Sequence, residues 1–213
     1  MTTELMLKEQ WMQVRDRLAA KQLLVSPDAS LSLRIPDADA MWFGGVADTE
    51  PRKIGKRDPA AFAAGVDLHA SVYATRKDVG AIAAGGGVFG RLLADLGGAL
   101  PGVFDEQVRH LGRMSAAVKN ALEIGPALGV GGNTLLVGGE PVCLGMTASR
   151  LALNAELFEK CAKAFVLAAA TGGRIKPLPW LVRLIANNRL MKDERRAKLR
   201  IMEGELPEES RGY

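Results

Sequence analysis

The stretch VDLHASVYATRKDVGAIAAGGGVFG, Val66 to Gly90, decides how the rest of the chain is read. Its first part has a helical period, and His69 and Tyr73, four apart, share one helix face. Arg76-Lys77-Asp78 is a polar turn that ends this helix. Val79 to Ala84 is an apolar run of strand length, and Gly85-Gly86-Gly87 breaks it before Val88 to Leu96 resumes a helical period. Strand, glycine break and helix is an arrangement that builds ligand sites, because the first N–H groups of a helix have no partner within it. The break holds no side chain able to ligate a metal or carry a proton, and it lacks the Lys-Ser/Thr ending of a P-loop. A tight packed turn is therefore weighed above a backbone phosphate cradle.

Working outward, Leu5 to Leu24 is an amphipathic helix with Leu7, Trp11, Val14 and Leu18 on one face. Ser30 to Ile35 alternates as a half-buried strand does, and Pro36-Asp37-Ala38-Asp39 turns the chain into a second strand ending at Gly44-Gly45. Asp48 to Pro59, charged and rich in Pro and Gly, reads as a surface loop. Asp105 to Leu122 reads as one helix. Asn133 to Val137 and Pro141 to Leu144 flank Gly138-Gly139-Glu140 as a hairpin. Thr147 can cap the helix Ser149 to Ala170, and Leu181 to Met202 forms a last, strongly basic helix. Residues 203–213 read as a flexible tail. Helices before, between and after paired strands predict one α/β domain over residues 1–213, three α/β/α layers around a largely antiparallel or mixed sheet.

At 213 residues and 48% hydrophobic, the chain is long enough for one real core. No apolar run reaches membrane-spanning length, and the acidic, amphipathic N-terminus does not read as a secretory signal. Two cysteines make no disulfide framework, so a cytoplasmic protein with free thiols is expected and Cys143 is read as an inert core thiol. The net charge of +4 is concentrated in the last helix without a nucleic-acid-binding motif, so neither nucleic acid nor membrane is an expected partner.

Several segments, in order and over nearly the whole chain, resemble the class II aldolase/adducin family, to which fuculose-phosphate aldolase and ribulose-phosphate epimerase belong. Ser30-Leu31-Ser32-Leu33-Arg34 is similar to the family's Gly-Asn-hydrophobic-Ser-x-Arg strand. His69-x-x-x-Tyr73-x-x-Arg76-x-Asp78-Val79 is similar to its His-to-Asp-Val segment, and Leu135 to Gly145 to the strand pair holding its Asn-His-Gly motif. Glu156 and Glu159 stand on a helix that resembles the one after that motif. The resemblance implies a divalent metal, usually zinc, held by three histidines, and sites between the subunits of a ring-shaped tetramer. The matching positions here are Ala84, Gly86 and Gly139. The family's acid/base Glu falls on Gly65, its phosphate-binding Asn on Ala29 or Ser30, and its Ser-Ser pair near Ala63-Ala64.

Ligating side chains must be basic groups able to approach a metal to about 2 Å, which alanine and glycine cannot do. The expectation is a divergent member that has lost the zinc site and needs no cofactor, acting as a small-molecule-binding or structural homo-oligomer, with a tetramer favoured. Gly44, Gly85, Gly86, Gly87 and Gly139 are the backbone positions for a small anionic or carbonyl ligand, and His69, Tyr73 and Glu140 are the catalytic candidates. For His69 and Tyr73 the plainer reading is packing with their polar atoms satisfied. The alternative is an aldolase- or epimerase-type enzyme on a small hydroxy-carbonyl or sugar phosphate. It would use metal-free chemistry or a metal site rebuilt with zinc or another divalent ion around Glu140, Cys143 or His110.

Overall fold

In the computed structural model, described over residues 2–55, 58, 65–129, 131–173 and 175–209, six strands form one sheet. They are β1 Ser30–Ile35, β2 Ala40–Gly45, β3 Arg52–Gly55, β4 Ala81–Ala84, β5 Thr134–Val137 and β6 Glu140–Gly145. The order across the sheet is β3-β2-β1-β4-β6-β5, and every neighbouring pair is antiparallel. Among the described residues seven α-helices surround it: α1 Thr3–Ala20, α2 Val66–Thr75, α3 Val88–Leu92, α4 Asp105–His110, α5 Ile124–Leu128, α6 Ala148–Ala170 and α7 Trp180–Met202.

Strand alternation divides the core in two. Leu31, Leu33 and Ile35 of β1, Ala81 and Ala83 of β4, and Cys143 of β6 point to one face, where Trp11 and Leu18 of α1 and Leu151 and Phe158 of α6 cover them. Met41 and Phe43 of β2, Ile82 of β4 and Val142 and Leu144 of β6 point the other way, against Val66 and Val72 of α2 and Ile124 and Leu128 of α5. The result is the three-layer α/β/α arrangement. Small residues bring the layers close: a Cβ at Gly145 would lie 2.4 Å from the amide nitrogen of Leu151, so the first turn of α6 rests directly on β6.

Three sequence expectations are corrected. The segment read as a loop from Asp48 contains the edge strand β3. Its exposed Arg52 and Lys53 hide the strand pattern, and only Ile54 turns into the core. The helix read over Asp105 to Leu122 ends at His110. Gly112 takes a left-handed φ of 67°, and Val118 then forms a parallel bridge to Val137. Residues 203–209 are also tied down: Arg200 Nε donates to Leu206 O at 2.7 Å, and Arg150 holds the Glu209 carboxylate at 2.9 Å. The remainder of the expected tail, 210–213, lies outside the described residues.

Candidate functional site: the glycine-lined rim of the sheet

Pairing register gathers the sequence candidates at one end of the sheet. Gly45, Ser30, Ala84, Val142 and Leu135 form a row across β2, β1, β4, β6 and β5. Just beyond this row lie Ala29, Gly85-Gly86-Gly87 and Pro141, with Glu140 next and Gly139 at the hairpin tip. Gly44 is one step inside it. Ala84, Gly86 and Gly139 thus lie at the same end of the sheet. The Ala63-Ala64 positions fall outside the described residues.

The glycines of the rim are packed. Gly85 N donates to Pro141 O at 2.9 Å, and Val25 N donates to Gly86 O at 3.0 Å. A Cβ at Gly85 would meet that of Ala29 at 2.6 Å, and one at Gly44 would meet the Trp11 ring at 2.7 Å. The N–H groups at the start of α3 also have a partner. Glu159, reaching from α6, accepts from Phe89 N at 2.8 Å and Gly90 N at 2.9 Å. Its carboxylate lies against Gly87, where a Cβ would be 2.5 Å from Glu159 Cδ. The chain's own carboxylate therefore takes the place that a bound anion would have at this break. Glu159 was visible as a helix residue, but nothing local signals a partner 69 positions away.

Of the catalytic candidates, His69 is fully buried beneath the sheet. Ser30 Oγ lies 3.1 Å from its Nε2 and Ser32 Oγ lies 2.7 Å from its Nδ1, while Phe43 packs edge-on at 5.2 Å. Ser32 Oγ also lies 2.9 Å from the Tyr73 hydroxyl. This polar chain clamps α2 to β1. Burial pushes the His69 pKa down to about 3 and the Tyr73 hydroxyl well above its ordinary value, so both remain neutral at physiological pH. Glu140 is the candidate nearest the surface of the rim. Its Oε1 accepts from Arg91 Nη2 at 2.9 Å, while its Oε2 is buried without a partner.

The residues present do not fit a three-imidazole ion centre. The chain has two histidines. Both ring nitrogens of His69 are engaged by serines, and His110 Nδ1 lies 2.7 Å from Arg150 Nη1, by the first turn of α6. Cys143 is buried against the α1 and α6 face, and burial pushes its thiol up to about 12, far from the thiolate a metal needs. No group of three or more His, Cys, Asp or Glu side chains able to hold an ion occurs among the described residues. Segment 59–64 reads Pro-Ala-Ala-Phe-Ala-Ala and adds no ligating side chain.

A charged cluster that sequence reasoning only half anticipated lies toward α7. Arg76 and Asp78, read as part of a polar turn, form a buried two-pronged contact at 2.8 and 2.5 Å within the chain. Arg76 also donates to Gly132 O at 3.0 Å and Asn133 Oδ1 at 3.1 Å. Glu194 of α7 completes the cluster, with Oε1 at 2.9 Å from Arg76 Nη2 but not aligned as a hydrogen bond. Burial, opposed by the nearby Arg76 charge, raises the Glu194 pKa to about 7. A carboxyl whose folded pKa lies above its unfolded one favours folding most at low pH, and its contribution falls between about 4.5 and about 7. Glu194→Gln should therefore raise the melting temperature at pH 8 by about 3–6 °C and change it little at pH 4.5. Melts at the two pH values check this; an equal shift at both would contradict it.

Neither a protein-family model nor a curated protein sequence matches this chain. Its fold does match solved structures. An L-fuculose 1-phosphate aldolase superposes with a TM-score of 0.73 at 17% identity, covering 90% of this chain and 98% of the aldolase. YgbL from Escherichia coli gives 0.70 at 17%, covering 87% of this chain and 100% of its own. An aldolase II superfamily protein from Pseudomonas syringae gives 0.61 at 14%, with 93% and 96% covered. The chain therefore has the class II aldolase fold along most of its length. No described helix is long and apolar enough to cross a membrane.

Proposed function

We propose that this protein is a divergent class II aldolase/adducin-type member that has lost the zinc site, and that it works without a metal as a cytoplasmic small-molecule-binding or structural homo-oligomer, a tetramer by the family's pattern. One observation carries the reading: Ala84, Gly86 and Gly139 stand at the rim where three imidazoles would have to converge, while both histidines of the chain are engaged elsewhere. A bound metal acts in such chemistry as a Lewis acid toward a carbonyl or enediolate oxygen. Among the described residues no group at this rim offers a comparable positive centre, since Arg91 is paired with Glu140 and the α3 N–H groups are bound by Glu159.

Metal analysis of the purified protein tests the proposal. Less than stoichiometric zinc, manganese and iron is expected, and EDTA should leave the melting temperature unchanged. One equivalent of any of these ions, together with a lowered melting point in EDTA, would overturn it.

The alternative, a metal-free enzyme acting on a small hydroxy-carbonyl compound, draws support from Glu140. A buried carboxylate oxygen without a partner, at the edge of the rim, is a group with unused capacity to accept a proton or hydrogen bond. Turnover of hydroxy-carbonyl or sugar-phosphate substrates that disappears in Glu140→Gln would select this alternative.

A further inference from the structure

A cleft among the described residues lies at the other end of the sheet from the glycine rim. It encloses about 770 Å³ between the β1–β2 turn, the outer face of α2 and the last turn of α7. Its wall is apolar where Met41, Ile54, Ala74 and Met202 line it and basic where Arg34 and Lys77 do. Met202 is 67% exposed at the mouth of the cleft.

Arg34 is the unusual group. Its Nη2 donates to two main-chain carbonyls, Tyr73 O at 2.8 Å and Arg76 O at 2.9 Å, and its guanidinium stacks on the Tyr73 ring at 4.5 Å. Its Nε is buried with no partner. Neutral carbonyls and a ring face hold the guanidinium in place without neutralising it. Burial pulls its pKa below the ordinary value, against the more distant fields of Asp78 and Asp39. A guanidinium in this setting is stabilised by an anion, and its fork suits a carboxylate. Lys77 is exposed and adds a second positive charge at the mouth, with Nζ 3.4 Å from Tyr73 O. Asp37 and Asp39 stand in the same wall. The carboxylate of Asp37, at an exposed position, opposes a second negative charge and so favours a monoanion over a doubly charged phosphate.

We infer that this cleft binds a small amphipathic monocarboxylate, with its carboxylate toward Arg34 and Lys77 and a short aliphatic or alicyclic body on Met41, Ile54 and Ala74. The site is separate from the rim and does not depend on whether the rim holds a metal. Because Met202 and the buried Ile201 come from α7, occupancy also fastens the end of that helix to the sheet.

The test is a titration of the intact protein, labelled with ¹³C at its methionine methyl groups, with hexanoate, hexanol and hexyl phosphate. Of the eight methionines, Met41 and Met202 should show saturable shifts with hexanoate. Hexanoate should bind about tenfold more tightly than hexanol, the scale of a charge-assisted hydrogen bond, and more tightly than hexyl phosphate. Lys77→Glu, at an exposed position, should weaken hexanoate about threefold or more and leave hexanol unaffected. Ala74→Trp should remove both by filling the cleft. Absence of saturable shifts at Met41 and Met202, equal affinity for hexanoate and hexanol, tighter binding of hexyl phosphate, or indifference to Lys77→Glu would each overturn the inference.

Discussion

An Arg76→Ala chain is expected to lose about 3–5 kcal/mol of stability, the range for removing one partner of a buried ion pair. Three elements meet at this guanidinium. It holds Asp78 through two hydrogen bonds, accepts the 2.9 Å approach of Glu194 from α7, and satisfies Gly132 O and Asn133 Oδ1 before β5. Truncation leaves two carboxyl groups facing each other in a site where both are more than nine-tenths covered. Arg76→Lys should recover only part of the loss, since an ammonium cannot reproduce the two-pronged contact. Urea unfolding measures the cost, and hydrogen exchange locates it: amides of α7 from Leu190 onward should lose protection before those of β1 and β4. A loss under about 1 kcal/mol, or equal loosening of α7 and the central strands, would show that the cluster does not dock this helix.

Gly86→His should destabilise the chain by about 3 kcal/mol or more and should not bring back zinc. Gly86 has a left-handed φ of 48°, and a Cβ there would lie 2.4 Å from Pro141 Cγ and 2.6 Å from Pro141 Cβ. A side chain must therefore push β6 outward while holding a backbone conformation that L-residues seldom take. The melting temperature should fall by roughly 6–12 °C. Adding Ala84→His and Gly139→His should still give no stoichiometric zinc, whereas Pro141→Ala in the Gly86→His background should return part of the lost stability. A Gly86→His protein that melts normally and gains one zinc would show that the rim is only three side chains away from a metal centre.

Much of the architecture was legible because its signals are local. Trp11, Val14 and Leu18 repeat at helical spacing, Ser30 to Ile35 alternates, and Gly138-Gly139 marks a hairpin; each pattern needs only a few consecutive residues to be read. The readings that failed did so for identifiable reasons. Arg52 and Lys53 give an edge strand the composition of a loop. The helix period after Asp105 survives past His110 in the sequence, but Gly112 and the bridge from Val118 to Val137 draw the chain into an extended path. Residues 203–209, read as part of a flexible tail, are held by Arg150, 59 positions away along the chain, and by Arg200.

By itself the sequence determined the three layers and the absence of imidazoles at positions 84, 86 and 139, because residue identity and period are properties of the chain alone. Only the tertiary structure decided which partner each charged or polar group acquired. Glu159 was given to the α3 N–H groups, Glu194 to Arg76, His69 to two serines, and Arg34 was left with an Nε that nothing meets. The physical reason is that electrostatic and hydrogen-bonding partners are chosen by distance in space and by loss of water, and neither quantity is written in the spacing of residues along a chain.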